Sequence, residues 1–399
     1  MPFNCVSVAD FMTPTEIADT QSGADPTLDV SGAFDDAWAA IKDQGGTLII
    51  PPGRYLLNAQ WVLVKEEPVN ILIYGWGARL YAGASVTGKA ISVRSSSNEY
   101  QLDIEGLVFD HRGNGTVAGS IEVLGGHCVH IKRCNLEFHS VRADYDFVTF
   151  ASIAPGQPGV DDYNSFWCRV EHCGTRKRSG SETGEARSFI RMIGAVNRFK
   201  AVGNLVTHCK VGVLAEPETG PNSYAIANGV VIEGNNFEVL SEAAVRIQLL
   251  DDQYGPTGWR IVFNDIERAS ALLDLPIVSG NAFPHSQPPL LFGNYGTTGS
   301  VTDWVVNPSG YPVSTFETRF PGFGPAVENS FWQGGSLDLR FPTGSHLRLA
   351  NSSGSSGYNV GHLDLGGYRI WVNTGNGKAY IRSGQPSSAS DGTIIGTQS

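Results

Sequence analysis

No stretch of this chain approaches the ~18 consecutive apolar residues that a membrane-spanning helix needs. Methionine is scarce, with 3 in 399 residues, and charged residues make up only 17%. Set against 48 glycines, that scarcity argues against a helical protein and for a β-rich chain with many turns. Lys and Arg number 28 against 39 Asp and Glu, and the net charge of −11 argues against nucleic acid as the main partner. An anionic glycan stays open, because a local patch can oppose the global sign. The nine histidines lack the helical spacing of a metal site, and Cys5, Cys128, Cys134, Cys168, Cys173 and Cys209 match no zinc pattern. Gly-Gly pairs begin at Gly45, Gly125, Gly334 and Gly366, all in turn contexts rather than a phosphate-binding loop. Neither metal nor cofactor is therefore expected. Met1–Asp10 lacks the basic and apolar segments of a signal peptide, which predicts synthesis in a cytoplasm. No disulfide framework is expected there, and the thiols read as small core residues in stacked ladders.

What is present begins with Val8–Leu57. Thr13-Pro14-Thr15-Glu16 is a capping box with proline at the first helical position, so a short helix should start there. Ser31 is placed to cap a second helix, with Asp35 and Asp36 in its first turn. Ala33, Phe34, Ala37, Trp38 and Ile41 fall on one face of that helix, and Gly45-Gly46 ends it. A strand Thr47–Ile50, a Pro51-Pro52-Gly53 turn and a second strand follow. An ordinary helix-to-strand connection would explain each cue singly. As a set, the stretch resembles the N-terminal cap of the pectate-lyase-like β-helix superfamily. Asp10–Gly23 and Leu28–Ile41 are most similar to the form in bacteriophage tailspike proteins. The resemblance implies a right-handed parallel β-helix whose first coil is plugged by these helices.

A short motif, apolar-x-x-Gly/Cys-Asn-apolar, recurs downstream. Ile131–Leu136, Ala201–Leu205 and Ile232–Phe237 carry it, and Ile104–Leu107, Val170–Gly174 and Ile261–Ile266 are weaker copies. Taking 106, 135, 174, 204, 236 and 265 as equivalents gives a period of about 30, which suits β-helix coils with Asn or Gly at a left-handed turn. A β-sandwich would instead repeat every ~8–12 residues. The fold class expected is all-β: a solenoid at 47–299, a helical cap at 1–46 and a small β domain at 300–399. In the last part Ser336–Phe341, His346–Ala350, Leu363–Val372, Ala379–Ser383 and Thr393–Gly396 read as short strands. Gly377–Thr397 resembles the terminal segment of phage tail fibres and spikes, which implies a homotrimer of parallel chains.

Chemistry on a β-helix gathers where loops leave successive coils at one corner. Glu216-Pro217-Glu218 lies 12 residues past Asn204, and Asp251-Asp252 begins 15 past Asn236. Coils are ~4.8 Å apart, so carboxylates on neighbouring coils suit the ~5–5.5 Å of retaining glycosidases, or at longer reach the ~6.5–9.5 Å of inverting ones. Glu216, Glu218, Asp251 and Asp252 are thus the candidate catalytic acids. Acids in Gly/Pro-rich loops can equally be merely solvated. From Arg169 to Lys200 eight basic residues face three acidic ones, with aromatics nearby. Aromatic faces stack on sugars and arginine forks onto uronate carboxylates. Tyr163, Trp167, His172, Arg191, Tyr224, Arg246 and Tyr254 are the candidate substrate-binding residues. A solvated basic loop is the alternative.

Three functions follow. The first is a virion tailspike, made without a signal peptide and assembled with other tail proteins, that binds and hydrolyses a bacterial surface polysaccharide. The second is a receptor-binding spike without catalysis. The third is a polyuronate lyase, for which His172 and Arg191 would remove the proton and neutralise the carboxylate.

Overall fold

The computed structural model describes residues 4–95, 101–110, 116–138, 143–152, 165–177, 184–217, 226–248, 256–276, 289–296, 301–306, 314–316, 362–365, 368–373, 378–383 and 393–397. The chain divides into two compact units. One comprises Met1–Gly322 with Ser330–Gly335, the other Phe323–Asn329 with Ser336–Ser399.

The first unit is a parallel β-helix. Each coil visits three sheets in turn, as Gly46–Ile49 (sheet A), Gly53–Leu57 (sheet B) and Trp61–Lys65 (sheet C) do before Ile71–Tyr74 returns to sheet A. Among the described residues sheet A has eleven strands and sheets B and C nine each, all paired in parallel. Alternation along each strand sends one residue in two to the interior. In sheet A the inward column runs Leu48, Ile73, Ile104, Ile131, Val170 and on to Leu291, every member buried. The sheets extend beyond the 47–299 span on both sides. Cys5–Ser7 opens sheet A, while Val301–Val306 and Ser314–Phe316 still pair in sheets C and A.

The cap forms as its residues dictate. Helix Pro14–Gln21 starts at Thr13 with both halves of the capping box made. Helix Ser31–Ile41 buries Ala33, Phe34, Ala37, Trp38 and Ile41, and the Phe34 ring meets Trp61 edge-on at 5.0 Å, closing the first coil. Ser31 does not cap it: the N-cap is Val30 and makes no side-chain bond. The Ser31 hydroxyl instead donates to Asp29 at 2.6 Å and accepts from the backbone N–H groups of Asn58 and Ala59, tying the helix to the second strand.

At the corner from sheet A to sheet B, buried Asn204, Asn235, Asn264 and Asn294 stack. Asn204, Asn235 and Asn264 each donate through Nδ2 to the next Oδ1 at 2.8–2.9 Å, and all four donate to a carbonyl of the coil below. In earlier coils Cys134 and Cys173 occupy this column, the Cys134 N–H reaching the Cys173 sulfur at 3.4 Å and the Cys173 N–H the Asn204 Oδ1 at 2.9 Å. The residue before each of them is left-handed, glycine in three coils but Arg133, His172 and Phe263 in the others. Pairing across sheet B aligns 108, 135, 174, 205, 236, 265 and 295. The sequence alignment therefore slips by one at 204 and by two at 106.

In the second unit the described strands form an antiparallel sheet of His362–Leu365, Tyr368–Asn373, Lys378–Ser383 and Thr393–Thr397. The expected strand Leu363–Val372 is two strands paired as a hairpin, and 336–350 lie outside the described residues.

Candidate functional site

The outer face of sheet C collects the longest strands and the most chemistry. Ser92, Glu122, Thr149, Arg191, Leu214, Arg246 and Asp274 are register partners in successive coils, forming a row that points away from the core. Beyond the strands that end at Ala151, Glu216, Ile247 and Asp274, the chain continues into 153–164, 218–225, 249–255 and 277–288, which lie outside the described residues.

Asp146 anchors this face. Its carboxylate is buried and accepts from Arg187 Nε at 2.9 Å and Nη2 at 2.5 Å, Ser188 Oγ at 2.8 Å, Lys89 Nζ at 3.1 Å and Thr149 Oγ1 at 3.4 Å. Burial opposes its ionisation. The Arg187 hydrogen bonds and the Lys89 and Arg187 charges outweigh that and hold the carboxyl below its ordinary value. The bonds to Asp146 raise Arg187 in turn, whereas burial lowers the ammonium of Lys89, the more desolvated cation.

Arg191 extends the network. Its Nη1 lies 3.8 Å from Asp146, and its Nε and Nη2 both reach Glu216 Oε2 at 2.5 Å. Glu216 closes its strand with 18% of its side chain exposed, so it is a clamped carboxylate at the edge of the face. Farther along, Arg246 donates through Nε to Asp274 at 2.7 Å and through Nη1 to Glu242.

Of the sequence candidates, Glu216, Arg191 and Arg246 share this face, and only the first two touch. Trp167 and His172 sit elsewhere, both in the left-handed region that bulky residues seldom adopt. Trp167 stands 47% exposed at the corner from sheet C to sheet A, with the Arg198 guanidinium 5.8 Å above its ring. His172 occupies the opposite corner, between sheets A and B, lying over Gly203, where a Cβ would come within 2.7 Å of its Nδ1. The structure thus does not bring His172 and Arg191 together. Glu218, Asp251, Asp252, Tyr163, Tyr224 and Tyr254 lie outside the described residues. Ala215 pairs with Ile247, and Gln248 donates its N–H to Ala215, so Gln248 is the residue beside Glu216 and Asp251 follows three residues later. The counting that set Glu216 level with Asp251 is corrected by those three residues.

The basic stretch also separates. Arg169 to Lys200 spans about one coil and is wound around the solenoid. Arg169 pairs with Glu171 on sheet A, Arg187 and Arg191 serve sheet C, and Arg198 lies at the corner. Among the described residues, the local excess of charge along the sequence is therefore divided between faces.

A second set of carboxylates went unread. On the outer face of sheet B, Asn236 pairs with Asp265, and two residues on Glu238 and Glu267 come level in neighbouring coils. Burial, reinforced by Glu267 and Asp265, raises the Glu238 carboxyl; burial and Glu267 raise Asp265. One Asp265 oxygen is buried with no hydrogen-bond partner. The signal was in the sequence: Asn235-Asn236-Phe237-Glu238 repeats as Asn264-Asp265-Ile266-Glu267 after one coil. No group of residues suited to a metal ion occurs among the described residues.

No family model matches the sequence, and a search of curated proteins finds no relative. Solved structures do match. The Agl-KA catalytic domain aligns over 76% of this chain at 13% identity and a TM-score of 0.54, and this chain spans about half, 51%, of that one. The tailspike protein of Acinetobacter phage vB_ApiP_P1 aligns over 99% of this chain and 79% of its own, at 13% identity and a TM-score of 0.50. At such identities the likeness is one of architecture: this chain shares the parallel β-helix fold of that phage tailspike.

Proposed function

We propose that the chain is a phage tailspike that binds a bacterial surface polysaccharide along the outer face of sheet C and hydrolyses it there. The observation that carries the reading is Glu216, clamped by Arg191 at the strand edge from which the chain runs on to Glu218 and, one coil later, to Asp251 and Asp252. A carboxylate already bonded to arginine suits the base or nucleophile of a glycosidase, and its acid partner comes from Glu218, Asp251 or Asp252. Arg246 lies one coil along the same face, within reach of the next sugars. In this reading the protein is a homotrimer joined to other virion tail proteins, located in the phage tail. The shared fold with a phage tailspike supports the placement without fixing the substrate.

A second location has its own support. Glu238 and Glu267 stand level one coil apart on sheet B, and burial, reinforced by Glu267, raises the Glu238 carboxyl, the direction a general acid needs. Reducing-end release from purified host polysaccharide decides between the faces. Loss of cleavage in Glu216→Gln with Glu238→Gln active keeps sheet C; the reverse moves the reaction to sheet B. A product that absorbs in the ultraviolet as an unsaturated uronate replaces hydrolysis by elimination. Binding without any shortening leaves a receptor-binding spike.

A further inference from the structure

We infer that the corner from sheet A to sheet B is a second glycan track, where sugar rings stack on aromatic side chains set along the solenoid axis. The inference rests on the reading of this chain as a polysaccharide-binding spike, and it uses no residue of sheet C. The corner is described in every coil from Ile71 to Gly296. Trp76 and Phe263 stand on it 57% and 55% exposed, and His172 is exposed there too. Exposed Tyr74 and Tyr295 flank its two ends, and Phe292 meets Phe263 edge-on at 5.1 Å.

Each of the three corner rings lies against a glycine of the next coil. A Cβ on Gly106 would come within 3.3 Å of Trp76 Cε3, and one on Gly293 within 2.6 Å of Phe263 Cδ1, as at His172 and Gly203. The missing Cβ lets the ring settle on the backbone, so its outward side is held ready for a ligand. Aromatic faces of this kind pack on the apolar C–H faces of sugars. His172 and Phe263 also take left-handed backbone, at φ 54° and 55°, where Gly203, Gly234 and Gly293 hold the same position freely. Strain kept at rings that face water rather than the core points to a contact outside the chain.

The spacing narrows the ligand. Trp76, His172 and Phe263 follow strands of sheet A that are three places apart each time. At ~4.8 Å per coil, the rings recur every ~14 Å. Between them stand Arg133, bonded to Glu105, and Gly234, where a Cβ would meet nothing within 4 Å. Separate rings with polar and empty steps between them fit a linear polysaccharide, whose apolar ring faces alternate with hydroxyl groups. A second copy of this chain would call for a continuous apolar core instead.

The test uses the full-length protein and the surface polysaccharide purified from a strain to which it adsorbs. Affinity and oligomeric mass are measured together. Trp76→Ala/Phe263→Ala should weaken binding about tenfold at unchanged mass, because the two platforms act jointly on one chain. Phe263→Tyr keeps the ring and should bind like the wild type, as should Phe11→Ala, an exposed aromatic of the cap. Wild-type affinity in the double alanine variant overturns the inference and leaves the sheet C reading standing. Weakened binding with a lower oligomeric mass makes the corner a contact between copies, which also overturns it. A wild type that does not bind the polysaccharide removes the spike reading, and the inference with it.

Discussion

In the C-terminal coils of one solenoid, sheets B and C treat their outward carboxylates in opposite ways, whereas earlier in sheet B Arg79 is paired with Glu137 and Asp110. On sheet C each acid of the network has a cation at bonding distance: Asp146 with Lys89 and Arg187, Glu216 with Arg191, Asp274 with Arg246. On sheet B, toward the C-terminal coils, Glu238 and Asp265 meet other carboxylates instead, and their protons are held more tightly than usual. The backbone is the same in both places, since parallel pairing stacks residue on residue every ~4.8 Å. What differs is the residue one coil away. A β-helix turns a sequence offset of about 30 into contact, so a change at one position decides whether its neighbour is neutralised or repelled. The two faces therefore differ in charge: carboxylates paired with cations on one, carboxylates whose ionisation burial and like charge disfavour on the other.

The largest effect should come from emptying the centre of sheet C. Asp146→Ala strands Lys89 and half-buried Arg187 without their carboxylate, and unfolding in urea should show a loss of about 3 kcal/mol. Glu238→Ala, on the half-buried sheet B face, should cost far less than that. Equal losses would erase the distinction between a paired and a repelled carboxylate.

Next comes activity. If sheet C hydrolyses the glycan, Glu216→Gln should lower kcat by about 100-fold or more, the usual yield of a positioned base, with polysaccharide affinity little changed. Arg191→Met should follow it, because Glu216 loses its clamp. The same loss in Glu238→Gln or Glu267→Gln instead would assign the chemistry to sheet B.

Much of the architecture was legible in the sequence because it is local or periodic. The capping box at Thr13–Glu16 and the apolar face Ala33–Ile41 read directly, as did the coil length and the stacking of buried Cys134 on Cys173, whereas Cys5 is exposed and Cys128 half-buried. The register was harder. Asn235 and Asn236 stand side by side, and nothing local distinguishes the one that turns inward to stack from the one that opens the next strand. That ambiguity slipped the alignment at 204 and, together with an uneven turn, misjudged the residue beside Glu216. The partners of Asp146 were beyond reach for another reason. Lys89 is 57 positions away and Arg187 is 41, distances that become contacts only once the coils are in register. The described members of the basic stretch do not gather, because one full coil distributes them over different faces.

The smallest effect concerns pH and sharpens the contrast in sign. A carboxyl lowered in the folded state, as Asp146 is, contributes stability above its unfolded value near 3.9 that is lost as pH falls through the folded value. Raised carboxyls act in reverse: Glu238 and Asp265 are protonated earlier in the folded chain, so acidification from neutral pH relieves their repulsion before the unfolded chain takes up protons. Unfolding free energy should therefore rise slightly as pH drops toward the carboxylate range, then fall steeply below it. Both acids are only partly buried, and screening limits the rise to about a few tenths of a kcal/mol. Glu267→Gln removes the charge that repels both of them. It should raise stability at neutral pH by that small amount and flatten the rise, leaving the steep acid limb of sheet C untouched. A Glu267→Gln variant that loses the acid limb would mean that the two faces do not titrate independently, whereas a rise that is merely lessened is what burial, the larger cause, leaves behind.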